Sequence, residues 1–215
     1  VYGTNSNNLS NSVTSGTGAG SYNKSLTNLS SSTTYYYKAY ATSSAGTSYG
    51  AIESFTTQAT VAPTVLTVNT SNVTVSGATL NGNVTSAGTS TVTARGFMYG
   101  TSETNLSQQA ECGSGTGTFS KALTGLSAST TYYFKAYATS SAGTSYGAVE
   151  TFTTQTPVAP TVQTMAATSI SQTGATLNGK VVSAGSYSVT ARGFVYGTSA
   201  TNLSQNVEST VTTDN

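Results

Sequence analysis

Histidine and tryptophan are absent from the 215 residues, cysteine occurs once, and the one aspartate is Asp214. Without histidine, neither a Ser/His/Asp nor a Cys/His nucleophilic system can be assembled, and histidine-ligated metal sites are excluded. Calcium loops need clustered carboxylate oxygens, which a lone aspartate does not offer. Charged residues make up 6% of the chain, against about 25% in an ordinary soluble domain, so solubility rests on Ser, Thr, Asn and Gly. A net charge of +1 provides no field for nucleic acid and no polybasic segment for an anionic membrane. No apolar run approaches the ~20 residues that span a bilayer. The opening residues lack the basic start and apolar core of a signal peptide, so any export signal is expected outside this sequence. The single cysteine, Cys112, is replaced by Ser15 and Ser209 at the corresponding positions, so no disulfide framework repeats. It reads as a small incidental loop residue, with a redox or cross-linking role as the alternative. Missing disulfides favour a reducing compartment, but the hydroxyl-rich, nearly uncharged composition outweighs this and points outside the cytoplasm.

What is present is repetition. Val1-Tyr-Gly-Thr returns as Met98-Tyr-Gly-Thr and Val195-Tyr-Gly-Thr, and Phe55-Thr-Thr-Gln as Phe152-Thr-Thr-Gln, all at a spacing of 97. The longest verbatim match sets Lys38 to Ala51 against Lys135 to Ala148. The chain therefore reads as the C-terminal part of a first repeat (1–57), a complete repeat (62–155) and the N-terminal part of a third (159–215). Boundaries fall at Ala62-Pro63 and Ala159-Pro160, where proline fixes the backbone and removes a donor just before a strand. The linkers, Gln58 to Val61 and Gln155 to Val158, are short, which predicts stiff head-to-tail stacking.

Within the complete repeat the pattern predicts strands A (Thr64–Asn69), B (Ala78–Thr85), C (Thr91–Tyr99), a weak C′ (Leu106–Ala110), E (Thr118–Leu123), F (Thr130–Thr139) and G (Ala148–Thr154). Gly and Ser clusters divide them. Strand F is the clearest: alternation puts Tyr132, Phe134, Ala136 and Ala138 on one face and Tyr133, Lys135, Tyr137 and Thr139 on the other. Seven short strands at this spacing predict an all-β, tandem Greek-key β-sandwich of the immunoglobulin-like kind. The predicted core is Val65, Leu80, Val84, Phe97, Tyr99, Phe119, Leu123, Leu126, Tyr132, Phe134 and Phe152. The Leu-x5-Tyr spacing before strand F predicts a tyrosine corner at Tyr132, and at Tyr35 in the first copy, in which the phenol reaches back to the preceding loop.

Gly77-Ala-Thr-Leu-Asn-Gly, Ala94-Arg-Gly-Phe-Met-Tyr-Gly-Thr, Leu123-Thr-Gly-Leu, Thr130-Thr-Tyr-Tyr-Phe-Lys-Ala-Tyr-Ala-Thr and Phe152-Thr-Thr together resemble the fibronectin type III-like repeats of bacterial secreted and cell-surface proteins. The resemblance covers essentially the whole chain. It implies a spacer, stalk or adhesive module outside the cytoplasm. Strand B of the wider family usually carries an inward tryptophan, where this chain has Gly82 and Gly179; Phe97 and Tyr99 are expected to fill that space. The Arg-Gly-Asp motif of the animal relatives is missing.

No enzyme activity and no cofactor are expected. Glycoside hydrolysis needs two carboxylates across one cleft, and the complete copy offers Glu103, Glu111 and Glu150, a set the other copies do not keep. The glycine-rich Gly113-Ser-Gly-Thr-Gly is not followed by a helix or lysine, and so reads as a turn rather than a phosphate cradle. Two features could carry function. Tyr133 and Tyr137, with Tyr36 and Tyr40 in the first copy, are expected on the outer face of strand F, with Tyr146 and Tyr49 nearby. Such faces stack on sugars or anchor protein interfaces, although β-propensity alone also favours tyrosine on an open sheet. Strict alternation aims Glu150 and Arg95 inward as an ion pair, whereas one bulged residue would turn Val149 inward and free Glu150; the bulge is favoured, because an ion pair at the core's edge must overcome desolvation. Sequons occur at Asn8, Asn23, Asn28, Asn69, Asn72, Asn83, Asn105 and Asn202, as a Ser/Thr-rich chain produces by chance.

The expected function is a non-enzymatic extracellular structural protein: a tandem-repeat stalk, surface filament or adhesin shaft. The alternative is a carbohydrate-binding accessory module of a secreted glycosidase. The expected partners are further copies head to tail, or a continuous repeat array, with a glycan or surface protein as ligand and with no nucleic acid and no membrane span. Few charges guard the sheet edges, so association meets little electrostatic resistance.

Overall fold

The structure is a computed structural model describing residues 1–209; Asp214 lies outside them. Runs of β-branched and aromatic residues alternate in facing, which suits a pleated surface, and among the described residues every regular element is a strand.

Residues 1–57 carry β1 (Tyr2–Gly3), β2 (Thr34–Tyr37), β3 (Tyr40–Ser43), β4 (Gly46–Tyr49) and β5 (Glu53–Thr56). They form a three-stranded sheet in the order β1-β2-β5 and a hairpin of β3 with β4. The complete repeat follows: β6 (Thr64–Ser71), β7 (Gly77–Ser86), β8 (Ala94–Gly100), β9 (Gln108–Glu111), β10 (Gly117–Thr124), β11 (Thr131–Ser140), β12 (Gly143–Tyr146) and β13 (Glu150–Thr153). Residues beyond it carry β14 (Thr161–Thr168), β15 (Thr176–Ser183), β16 (Gly193–Tyr196) and β17 (Gln205–Glu208), arranged as two separate hairpins.

The complete repeat is a sandwich. One sheet runs β10-β7-β6; the other runs β12-β11-β8-β9, with β13 also on β11. In the lettering used for the sequence these are E-B-A and G-F-C-C′, the fibronectin type III-like Greek key. Strand β11 is continuous here, yet its counterpart in the first copy breaks into β2 and β3. The two segments differ only in Phe134, which is Tyr37 in the first copy, whereas their neighbouring strands differ far more. β8 pairs with β11 from Ala94 to Gly100, while on the corresponding side of β2 only the two residues of β1 pair with it.

Alternation fills the core from both sheets. Leu80 and Val84 from β7, Phe97 from β8, Phe119 and Leu123 from β10, Tyr132 and Phe134 from β11, Phe152 from β13 and Val65 from β6 are all buried. Each such side chain removed from water contributes about 1.5–3 kcal/mol. Tyr99 and Leu126 pack only partly buried against this cluster, and the smaller Ala78, Val92, Ala110, Ala136 and Ala138 join it. The place of the family tryptophan is filled differently from expectation. A Cβ on Gly82 would lie 2.6 Å from the tip of the Phe119 ring, so the aromatic comes from the neighbouring β10, with Phe97 5.0 Å behind it and Tyr99 at the margin.

Strand G also departs from the sequence reading, because it is broken into β12 and β13 around Gly147–Val149. Gly147 N–H donates to Ala136 O. The hydroxyl of Thr67, from β6 in the opposite sheet, accepts from Ala136 N–H at 3.0 Å and donates to Ala148 O at 2.6 Å. Thr67 thus takes the inward place expected for Val149, which is exposed instead. Glu150 is half-buried opposite Phe134. Arg95 does not turn to it: its Nη1 donates to the carbonyls of Gly115, Thr116 and Gly117, with the guanidinium 5.0 Å over Phe119.

The junctions between copies are tied at both sides. At the first, Ser32 N–H donates to Gln58 O; Val61 N–H donates to Thr89 Oγ1 at 3.0 Å and Thr89 N–H returns to Val61 O. At the second, Gln155 N–H donates to Thr74 O, Val158 N–H donates to Ser186 Oγ at 2.9 Å, and Ser186 N–H returns to Val158 O. Gly88 makes this approach feasible: at φ 71°, a Cβ there would sit 2.0 Å from Val61 O.

Candidate functional site

The outer face of the β11 sheet is where the sequence places aromatic side chains for contact. Across it, Tyr133 lies opposite Gly100, Lys135 opposite Met98 and Tyr137 opposite Gly96, while Tyr146 of β12 faces Tyr137 from the other side. Glycine at two of three partner positions leaves room for rings to lie down on β8.

Tyr137 uses that room, and this corrects the expectation that it stands free. It is only 5% exposed. Its ring lies over Gly96, where a Cβ would come within 2.9 Å, and its hydroxyl accepts a 2.7 Å hydrogen bond from Gln109 Nε2 on β9. A phenol buried this way offers no open ring face to a ligand. Tyr133 is half-buried. Tyr146 is 54% exposed, but one ring face carries the Lys135 ammonium at 4.3 Å, a contact worth about 0.5–1 kcal/mol at an exposed site.

The first copy repeats part of this arrangement. Lys38 sits 4.4 Å over Tyr49, Tyr40 and Tyr49 face each other with centroids 6.2 Å apart, and Tyr36 is half-buried opposite Gly3. Tyr40 is more open than Tyr137 because no β8 or β9 lies beneath it. Tyr133, Lys135 and Tyr146 are therefore the residues of this face that remain available in the complete repeat.

At the pole below, Tyr132 and Tyr35 take up the corner geometry. Tyr132 is buried and stacks on Phe152 at 5.5 Å; its hydroxyl accepts from Ser127 N–H at 3.0 Å. Tyr35 does the same with Phe55 at 5.7 Å and Ser30 N–H at 3.0 Å. Sequence reasoning missed the partner of this corner. Thr154 is almost fully buried, accepts from Thr130 N–H and donates to Ser127 O, and Thr57 repeats both bonds in the first copy.

Other candidate chemistry is not assembled. The Gly113–Gly117 loop turns carbonyls, not amides, toward Arg95, the wrong polarity for phosphate. Among the described residues no group of three His, Cys, Asp or Glu could hold a metal, and no helix is long and apolar enough to cross a membrane. Burial pushes the Cys112 thiol pKa up, against the opposing pull of Lys121 and Arg95; its Sγ points at the carbonyls of Ala110 and Ser120.

No family model matches this chain, and no curated protein matches it. Solved structures do. The short sensor domain of the anti-sigma factor RsgI4 of Pseudobacteroides cellulosolvens is 19% identical over 45% of this chain and 97% of its own, with a TM-score of 0.37. The FN1–FN3 domains of chicken CNTN1 are 19% identical over 59% of this chain and 44% of their own length, with a TM-score of 0.38. The sixth fibronectin type III domain of human fibronectin type III domain containing protein 3 is 24% identical over 48% of this chain and 91% of its own, with a TM-score of 0.35. The assignment of fold rests on the strand order itself: E-B-A packed on G-F-C-C′ is a fibronectin type III-like β-sandwich.

Proposed function

We propose that the protein is a non-enzymatic structural protein of the bacterial cell exterior, a tandem-repeat stalk, surface filament or adhesin shaft. The observation that carries this reading is the tied junction. Both linkers are anchored to the copy they leave and, through a reciprocal backbone and hydroxyl pair, to the copy they enter. Few free torsions remain between anchors, so successive sandwiches transmit orientation instead of swivelling. A chain built to bind a ligand has no need of equivalent joints; a chain built to reach does. The near absence of charge, the hydroxyl-rich surface and the repeat spacing of 97 agree with it.

Fractionation of the source cells combined with electron microscopy of the native material tests this. The expected result is protein outside the cytoplasm in extended, regularly spaced shafts. Recovery from the cytosol alone, as compact particles, sinks it. Glycan-array binding lost on Tyr133→Ala would instead place the protein among carbohydrate-binding modules; the burial of Tyr137 already narrows that platform.

A further inference from the structure

Three of the four sheet rims in the complete repeat are blunted. β12 and β13 are parted by the notch at Gly147–Val149, and β6 slips its register between Val68 and Ser71. β9 is four residues long, and the Glu111 carbonyl at its end accepts from the Lys121 ammonium at 3.3 Å. β10 differs. It runs for eight residues, pairs with β7 from Gly117 to Thr124 without a register shift, and has no strand on its other side. It contains no proline and one charge, Lys121. A long, regular, unpaired edge of this kind is a template for another strand.

The bare backbone groups can be named. Cys112 Sγ, which stands outside the β10–β7 pairing, donates to Ser120 O at 3.7 Å, so Ser120 turns its backbone away from β7. In an antiparallel ladder the N–H and C=O of one residue point to the same side, and the side alternates along the strand. Thr118 and Ala122 therefore turn outward as well. All three residues are exposed, and their side chains are small and uncharged. The thiol is a weak donor and yields readily to an amide. Phe119 and Leu123, on the opposite face of the strand, are buried in the core.

We propose that β10 is a self-pairing edge: β10 of one copy lies antiparallel against β10 of a second copy of this chain, and the two sheets become one. Charge selects both the partner and the register. Centring the pair on Lys121 would set the two lysines opposite each other, an unfavourable like-charge contact. Centring it on Ser120 removes that contact and keeps the overlap equally long. Thr118, Ser120 and Ala122 then exchange backbone bonds with Ala122, Ser120 and Thr118 of the second copy. Lys121 comes beside Phe119, and Leu123 comes beside Gly117, which leaves it room. Small meets small, and the one charge of the strand meets an aromatic ring, so the rim is its own complement. Lys121 thus chooses a register instead of barring the edge. With a net charge of +1 and 6% charged residues, two copies meet little repulsion on approach. The contact is isologous and closes at two copies. It adds side-by-side pairing to the reading of the protein as a shaft and does not depend on that reading.

The test uses the full chain with Cys112→Ser, the residue found at both matching positions, Ser15 and Ser209. Ser120→Cys in this background should form a disulfide-linked pair of chains on oxidation, since hydrogen-bonded partners lie about 5.5 Å apart at Cα, within disulfide reach. Thr118→Cys alone should stay unlinked, because its two copies are displaced by about four residues, roughly 13 Å along the strand; mixed with Ala122→Cys it should link. Without cysteines, light scattering should show a molar mass that doubles with rising concentration. Ser120→Lys alone and Ser120→Glu alone should each stay at a single chain, and their mixture should restore the doubling. Unfolding midpoints equal to the parent's confirm that these exposed substitutions act on pairing and not on folding. Unlinked Ser120→Cys chains overturn the proposal and leave the rim to a foreign strand. Linkage of Thr118→Cys alone as strong as in the mixture, or stronger linkage of Ser120→Cys to Ala122→Cys than to itself, overturns it too. Any of these failures leaves the shaft reading untouched, whereas recovery from the cytosol sinks the shaft and leaves the pairing.

Discussion

Thr67→Val replaces a hydroxyl by a methyl of nearly the same volume, in a side chain that ties the first strand of the sandwich to the broken strand G. The hydroxyl serves two backbone groups, the amide of Ala136 and the carbonyl of Ala148. Ala136 is fully buried, so its amide loses its partner with no water to replace it, while the more exposed carbonyl of Ala148 turns to solvent. One orphaned buried amide costs about 1–3 kcal/mol, and about 2 kcal/mol is the expected loss. Thr67→Ser keeps the hydroxyl and gives up one methyl, for about 0.8 kcal/mol. Urea unfolding followed by tyrosine fluorescence measures both, and in a domain of this size each kcal/mol moves the melting midpoint by roughly 4–8 °C. Hydrogen exchange adds a local readout, since the Ala136 amide should lose protection in the valine variant and keep it in the serine variant. Equal losses from the two substitutions would show that packing, and not the hydrogen bonds, holds strand A in place. An unperturbed valine variant would refute the reasoning altogether.

Three further outcomes are expected. Tyr132→Phe keeps the stack on Phe152 but strands Ser127 N–H, so chemical denaturation should show a loss of about 1–2 kcal/mol, with Tyr133→Phe nearly neutral as the outward control. Gly82→Ala sets a Cβ 2.6 Å from the Phe119 ring, an overpacking cost of about 1–3 kcal/mol; adding Phe119→Leu should recover part of it, a non-additivity that a double-mutant cycle reads directly. For Cys112 the sign follows from its raised pKa. Folded and unfolded chains both keep the proton at low pH; the unfolded chain releases it first as pH passes about 8.5, so stability declines from there until the folded thiol also ionises. The gap in unfolding midpoint between Cys112→Ser and the native chain should therefore widen in favour of serine from about pH 7 to about pH 9.5, and alkylation of the folded thiol should be slower than that of an exposed cysteine.

Strand F could be read because its signal is local: a buried face of Tyr132, Phe134, Ala136 and Ala138 follows from alternation alone. The corner was equally near at hand, its hydrogen bond joining residues five apart. What escaped depends on neighbours that sequence order hides. Thr67 looks like any strand threonine, and its partners lie 69 and 81 positions away. Tyr137 carries the same pattern as Tyr133; it is buried because Gly96 leaves space beneath it and Gln109, 28 positions away, binds its hydroxyl. Glycine reads as a weak position in a strand, whereas here Gly82 and Gly96 mark the places where an aromatic ring from an adjacent strand takes the space of a side chain.

A sheet's outermost strand normally invites another to pair with it, and proteins often post lysines there to refuse. With charged residues at 6%, this chain has few to post. The interruption between β12 and β13 serves instead. At Gly147–Val149 the outer rim of the five-stranded sheet turns away, one amide satisfied by Ala136 and one carbonyl claimed by Thr67. The facing rim, β6, is irregular as well, its pairing slipping between Val68 and Ser71. A straight foreign strand finds no continuous row of donors and acceptors along these two rims. Pairing of another strand at these two rims is thus discouraged by shape, where charge is too scarce to do it.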